Sequence, residues 1–238
     1  MFEGKKVIIF DMDGTLIDSI GIWNRVDETL ISAICADGET GLKQIQAQRD
    51  EALRRFAADS NPYVSYCGFL KQRYRSQRSV EEIHALRYQI AQDYLEHGID
   101  YKDGADELVR RLKAAGYRLC IATTTGRNSI NTFRTKNRNM IAKARLDDYF
   151  DPIYTREDAR EIKPNPEIYL RIMRELGVGP SECLVFEDSL IGVEAAVRAG
   201  IEVAAVYDRY SDGDRDAICA IATYEVEDYR TLIAREKL

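Results

Sequence analysis

Val7-Ile8-Ile9-Phe10-Asp11-Met12-Asp13-Gly14-Thr15-Leu16 is the stretch on which the fold turns. A short apolar run breaks off into two acids and a glycine. That is the pattern of a strand buried on both faces of a parallel sheet and followed by a turn. The same grammar returns downstream. Leu119-Cys120-Ile121-Ala122 runs into Thr123-Thr124-Thr125-Gly126, and Cys183-Leu184-Val185-Phe186 runs into Glu187-Asp188-Ser189. Val203-Ala204-Ala205-Val206 is a further apolar run. Helical stretches separate them: about 105–115 closed by Gly116, about 165–176 closed by Gly177, and the small residues Val193 to Ala199 closed by Gly200. A last helix is expected over about 226–236. Glycine tolerates the left-handed backbone that ends a helix. The alternation predicts an α/β fold with a Rossmann-like parallel-sheet core covered on both faces.

From Ser19 to His97 the grammar is different. No strand-like run appears, and apolar residues recur at helical spacing. Ile20, Trp23, Val26, Leu30 and Ile34 form one stripe; Leu53 and Phe56, then Phe69, Leu70 and Tyr74, then Ile83, Leu86, Ile90 and Leu95 mark further helices. Gly38, Asn61-Pro62 and Ser79 are the breaks. The first strand precedes this stretch and the others follow it. Residues 17–97 are therefore expected to be an all-helical domain inserted into an α/β core made of residues 1–16 and 98–238.

Composition narrows the function. The chain has 238 residues, 45% hydrophobic and 31% charged, which excludes wholesale disorder and leaves ample material for a core. Forty acidic against thirty-four basic residues give a net charge of −6, which argues against a general nucleic-acid or anionic-membrane surface. The cluster Arg134, Lys136, Arg138, Lys143 and Arg145 lacks the aromatic residues that nucleic-acid binding interleaves. No stretch approaches the ~20 apolar residues of a spanning helix. Lys5 and Lys6 precede an apolar run too short for the ~7–15 residues of a signal peptide. The five cysteines form no Cys-x-x-Cys pair and read as reduced thiols of a cytoplasm-like compartment. With only His84 and His97 beside them, zinc ligation is disfavoured.

Polar residues gather at the C-terminal ends of three expected strands: Asp11 and Asp13, Thr123, and Glu187 and Asp188. That edge of an open parallel sheet is where ligands bind. Carboxylates meeting in one crevice repel each other unless a cation joins them. An oxygen-only ligand set points to Mg²⁺. An aspartate at one strand end can simply start a turn, but the same edge collects acids repeatedly.

These residues resemble the motifs of the haloacid dehalogenase-like superfamily. Asp11-Met12-Asp13-Gly14-Thr15-Leu16 resembles the first motif, Thr123 the second, Lys163-Pro164-Asn165-Pro166 the third, and Glu187-Asp188-Ser189 with Gly192 and Ala195-Ala196 the fourth. The helical insertion resembles the cap of the β-phosphoglucomutase and phosphoglycolate phosphatase branch. The resemblance implies that Asp11 is a nucleophile forming an aspartyl phosphate. Asp13 would protonate the leaving oxygen and then activate water. Asp188, the Asp11 carboxylate and the Asp13 carbonyl would hold Mg²⁺, with Glu187 as a further ligand, direct or through water. Gly14 lets the backbone turn beside the phosphate, while Thr123, the following amides with Thr124, and Lys163 would bind the phosphoryl oxygens.

Asp13 favours phosphoryl transfer over dehalogenation, because a departing halide needs no proton. Lys43 and Lys71 of the helical stretch lie in no recognisable Schiff-base context. The mutase pattern of the same branch carries a histidine four positions after a Ser or Thr near the hinge; here Ser19 is followed at that spacing by Trp23. The expected function is Mg²⁺-dependent hydrolysis of a small phosphorylated metabolite. A phosphosugar mutase and a non-catalytic binding protein on the same fold remain the alternatives.

Overall fold

Contacts divide the chain into two units, Met1–Ser19 with Ile99–Leu238, and Ile20–Gly98. The computed structural model describes residues 1–35 and 45–237. Gly38 and Lys43 lie outside the described residues.

Helices are the only regular elements among the described residues of the unit Ile20–Gly98: α1 (Ile20–Ile34), α2 (Ile45–Arg55), α3 (Pro62–Arg73) and α4 (Val80–Asp93), the last running into one π-helical turn. The breaks expected at Asn61-Pro62 and Ser79 are N-caps. The Asn61 side chain accepts from the Tyr63 amide at 3.2 Å, and Pro62 needs no amide partner in the first turn. Ser79 and Glu82 satisfy each other's amides as a capping box. The face of α4 turned inward carries a charge. Ile83, Arg87 and Ala91 are buried while Leu86 and Ile90 are half-buried. The cause is Asp27 of α1, which is fully buried. It accepts from Arg87 Nε at 2.6 Å and from Arg49 Nη1 at 3.0 Å. Arg87 also lies over the rings of Trp23, Tyr63 and Tyr66, 4.7, 5.7 and 6.0 Å from the centroids. Trp23 is thus a lid on a buried guanidinium.

The other unit holds a six-stranded sheet: β1 (Val7–Phe10), β2 (Arg118–Ala122), β3 (Phe150–Tyr154), β4 (Cys183–Glu187), β5 (Glu202–Val206) and β6 (Tyr224–Val226). The order is β3-β2-β1-β4-β5-β6 and every pairing is parallel. The helices of this unit are α5 (Ala105–Ala114), α6 (Arg127–Thr135), α7 (Arg138–Lys143), α8 (Leu146–Tyr149), α9 (Glu167–Leu176), α10 (Leu190–Arg198), α11 (Arg215–Ile221) and α12 (Tyr229–Glu236). The α/β Rossmann-like architecture read from the sequence is the one observed. Both sheet faces are covered. Val7, Ile9, Cys120 and Val185 pack with Tyr169, Ile172 and Ala195 of α9 and α10. On the opposite face Phe10 stacks on Phe186 at 4.8 Å, and Tyr229 of α12 approaches Phe186.

The strand order reverses direction between β1 and β4, where each neighbour is reached by a different crossover. Ligands of open α/β sheets bind beyond the strand ends at such a point. Register fixes what meets there. Phe10 pairs with Ile121 on one side and Phe186 on the other, and the Asp11 amide extends the ladder to the Phe186 carbonyl at 2.9 Å. Asp11 therefore emerges level with Ala122 and Glu187.

Candidate active site

Asp11, Glu187 and Asp188 each offer an oxygen, and these oxygens lie within 4.8 Å of one another. All three residues are buried. Lys163, from the loop before α9, reaches into the group and is itself buried. Its Nζ donates to Asp11 Oδ1 at 2.6 Å, to Glu187 Oε1 at 2.5 Å and to the Ala122 carbonyl at 2.7 Å. An ammonium has three donors, so Lys163 is fully committed.

The electrostatics are unbalanced. Burial, then the neighbouring Glu187, push the Asp11 carboxyl up to about 8, with Lys163 opposing them. Burial, Glu187 and Asp11 likewise hold Asp188 well above the ordinary carboxylate range. Burial works against the charge on Lys163, but Asp11 and Glu187 outweigh it and keep its pKa well above the usual lysine value. Three buried carboxyls share one ammonium, so the group resists full ionisation unless more positive charge enters it.

The backbone is shaped around these groups. Gly14 has φ +83, and a Cβ on it would run into the Asp188 carboxylate. The same holds for Gly192 of α10, whose missing Cβ leaves room for the Glu187 carboxylate. Thr15 Oγ1 donates to Asp188 Oδ1 at 2.7 Å.

The structure brings Asp11, Lys163, Glu187 and Asp188 into one contact group. Glu187 Oε1 takes bonds from both Lys163 and Tyr169 OH, the latter at 2.9 Å, so that oxygen is occupied. Asp13 stands slightly apart and is half-buried. Ser19 Oγ donates to its Oδ1 at 2.5 Å, and Thr125 Oγ1 donates to its Oδ2. Thr123 follows β2 as expected. Its amide donates to the Tyr154 carbonyl at 3.1 Å and its hydroxyl accepts from the Thr125 amide at 3.0 Å. Thr124 is half-buried beside it. Lys71, in the other unit, donates to the Arg78 carbonyl at the surface.

Two participants went unread in the sequence. Thr125 belongs to the threonine run after β2, whose first two members alone were assigned roles. Tyr169 is the inward face of α9, and its ring also lies 5.3 Å from Lys163 Nζ. Its helical position signals only a core residue; the hydroxyl's acidic partner is visible only in three dimensions.

The residues present fit a hard divalent cation. The donors are all carboxyl oxygens, their ionisation calls for added positive charge, and no histidine or cysteine enters the group. A parallel sheet with nucleophile-capable carboxylates and a buried lysine at its C-terminal edge defines an α/β enzyme. Residues 5–200 match the model of the haloacid dehalogenase-like hydrolases. The chain belongs to that family and is a hydrolase. It is similar to the protein CbbY of Rhodobacter capsulatus, 29% identical over 217 residues that make up 88% of each chain. It is also 26% identical to the pyrophosphatase PpaX of Bacillus cereus, over 84% of this chain and 82% of that one. Among solved structures, CbbY of Rhodobacter sphaeroides in complex with xylulose-(1,5)bisphosphate shares the fold at a TM-score of 0.73. It is 24% identical, with 94% of this chain and 95% of that one covered. No helix among the described residues is long and apolar enough to cross a membrane.

Proposed function

We propose that the protein is a Mg²⁺-dependent phosphatase that hydrolyses a small phosphate monoester through an aspartyl phosphate. The observation that carries the reading is the buried group of Asp11, Glu187 and Asp188 around Lys163. A lone nucleophilic carboxylate whose pKa stands near 8 would be protonated and inert at neutral pH. A divalent cation held by Asp11, Asp188 and the Asp13 carbonyl would restore its charge and neutralise the phosphoryl oxygens as they approach. Lys163 keeps Asp11 oriented and offers positive charge to the phosphoryl group. Thr123, Thr124 and the amides after them, with Gly14, would complete the phosphate cradle. The Asp13 carboxylate, which is not among the metal-binding oxygens, carries the proton to the leaving oxygen and takes one from the attacking water. Its two hydroxyl donors, Ser19 and Thr125, fix the orientation of its carboxylate.

The helical unit Ile20–Gly98 would act as the cap that selects the substrate and excludes water from the intermediate. The xylulose-(1,5)bisphosphate bound to CbbY of Rhodobacter sphaeroides supports a small phosphorylated metabolite as substrate. Trp23 stands where a mutase of this branch has a histidine and is engaged with Arg87, which favours hydrolysis over isomerisation.

The test is phosphate release from sugar phosphates, sugar bisphosphates, phosphoglycolate and nucleotides, with Mg²⁺, beside Asp11→Asn. Turnover by the native protein that disappears in the variant is expected. An undiminished rate in Asp11→Asn would sink the nucleophile. Isomerisation primed by a bisphosphate, without phosphate release, would select the mutase. Tight binding with no turnover would select the binding protein.

A further inference from the structure

The residues matched by the family model end at 200, yet the segment beyond them grips the loop that carries Asp11 and Asp13. Lys102 Nζ donates to the Gly14 carbonyl at 2.7 Å, the Tyr207 carbonyl at 2.8 Å and Asp208 Oδ2 at 2.9 Å. All three ammonium donors are engaged. Asp208 is itself fixed: it is buried, and its Oδ1 accepts from the Tyr210 amide at 2.9 Å. Tyr229, the first residue of α12, is buried, and its hydroxyl donates to the Thr15 carbonyl at 3.0 Å. Two consecutive carbonyls of the loop are thus held by side chains from outside it.

We infer that Lys102 and Tyr229 are positioning residues: by holding the Gly14 and Thr15 carbonyls they set the orientation of Asp13 on one side and of Asp188 on the other. The inference rests on the phosphatase reading for what the loop does, not for how it is held. Gly14 is the least constrained residue of the loop, so its peptide plane needs an outside anchor. If that plane turns, Asp13 swings with it at one end. At the other end Thr15, whose hydroxyl holds Asp188 Oδ1, moves as well. Lys102 has a further connection. It lies just after the chain re-enters this unit, and its amide donates to the Leu16 carbonyl at 2.9 Å. The outgoing and returning segments pair there, with Ile17 bridged antiparallel to Tyr101 and the Asp18 amide donating to the Asp100 carbonyl at 3.1 Å. Lys102 therefore joins three things: the paired connections to the helical unit, the catalytic loop, and the end of β5.

Lys102→Met and Tyr229→Phe, made in the full chain, separate positioning from mere support. Arg230→Ala is the control; Arg230 neighbours Tyr229 and pairs with exposed Asp103 at the surface. Amide exchange is read on the peptide spanning 12–17, where the Gly14, Leu16 and Ile17 amides are hydrogen-bonded. Exchange there should accelerate on the order of 10-fold in both variants and stay unchanged in the control. With p-nitrophenyl phosphate and Mg²⁺, kcat should fall roughly 10- to 100-fold with KM within about twofold, and half-saturation by Mg²⁺ should rise. A lower melting temperature with native exchange in this peptide and native kcat would overturn the inference. If Lys102→Met does not fold, Tyr229→Phe, which deletes one oxygen, decides. If neither native protein nor Asp11→Asn turns over substrate, the phosphatase reading falls, and the exchange result still decides whether the loop is held.

Discussion

The Asp188 carboxylate fills the space that a Cβ on Gly14 would need, with its Cγ 2.7 Å from that position. The two residues come from the ends of β1 and β4, adjacent strands in register, so sheet pairing and the tight turn are one constraint. Gly14→Ala would force a left-handed alanine, at ~1–2 kcal/mol, and would also displace a metal-ligand candidate. Gly4 provides the comparison, with φ +73 and nothing within 4 Å of its Cβ position. Gly4→Ala should lower stability by about 1–2 kcal/mol and leave turnover intact. Gly14→Ala should lose at least ~100-fold in turnover, as a displaced reacting group does. Equal activity in the two variants would count against the proposed placement of Asp188.

Lys163 is the only cation shown bonding to Asp11 or Glu187 among the described residues. Lys163→Met would leave Asp11 and Glu187 facing each other without their shared ammonium. The expected loss is about 3–5 kcal/mol of stability in urea unfolding. Adding Glu187→Gln should return part of that loss, because it removes the Asp11–Glu187 repulsion that the lysine had offset. The double-mutant cycle should therefore show a coupling of at least ~1 kcal/mol. Additive losses would mean that the acids do not share the lysine.

The sequence carries the centre of the sheet and loses its edges. β1, β2, β4 and β5 are apolar runs because both faces are buried. β3 is Phe150-Asp151-Pro152-Ile153-Tyr154 and β6 is three residues long, and neither reads as a buried run. Both are edge strands, where a proline or a charge is tolerated and even useful. The acids at the strand ends were legible because register alone brings Asp11 beside Glu187. Thr125, Tyr169, Lys102 and Tyr229 were not, since each acts through a contact with a residue remote in sequence. The burial of Arg87 on α4 is hidden for the same reason. Arg87 counts as solvent-facing until Asp27, on another helix, is seen to neutralise it.

That ion cluster gives the helical unit a defined acid response. Burial disfavours the Asp27 charge, but Arg87 and Arg49 outweigh it and hold its carboxyl below the ordinary range. A carboxyl with a depressed folded pKa contributes stability above its unfolded value, near ~3.9, and loses it as pH falls through the folded value. Asp27→Asn strands two buried guanidiniums and should cost about 3–5 kcal/mol at neutral pH. The difference from the native protein should be flat from pH ~7 to ~5 and shrink below ~4. Urea unfolding across that range is the measurement, and a difference that widened on acidification would refute the assignment.

The crowding of three buried acids predicts a stability response to Mg²⁺ that needs no substrate. Asp11, Glu187 and Asp188 repel one another, and Lys163 offsets only part of that repulsion. A cation that binds the folded chain alone stabilises it by ~2.7 kcal/mol at a hundred times its dissociation constant. For a chain of this size that raises the melting temperature by roughly 5–10 °C. Asp188→Asn changes both sides of the comparison. It removes a carboxyl whose ionisation burial and the neighbouring acids oppose, so without metal the variant should melt at or above the native temperature. Its amide oxygen can still accept the Thr15 hydroxyl, so the loop keeps that contact. It also removes a ligand, so the rise with Mg²⁺ should fall below ~2 °C, less than 1 kcal/mol of linkage. Ca²⁺ should stabilise the native protein without supporting turnover, because its looser coordination lets the nucleophile stray from the in-line position. A Mg²⁺ shift of the same size in both proteins would place the cation away from Asp188.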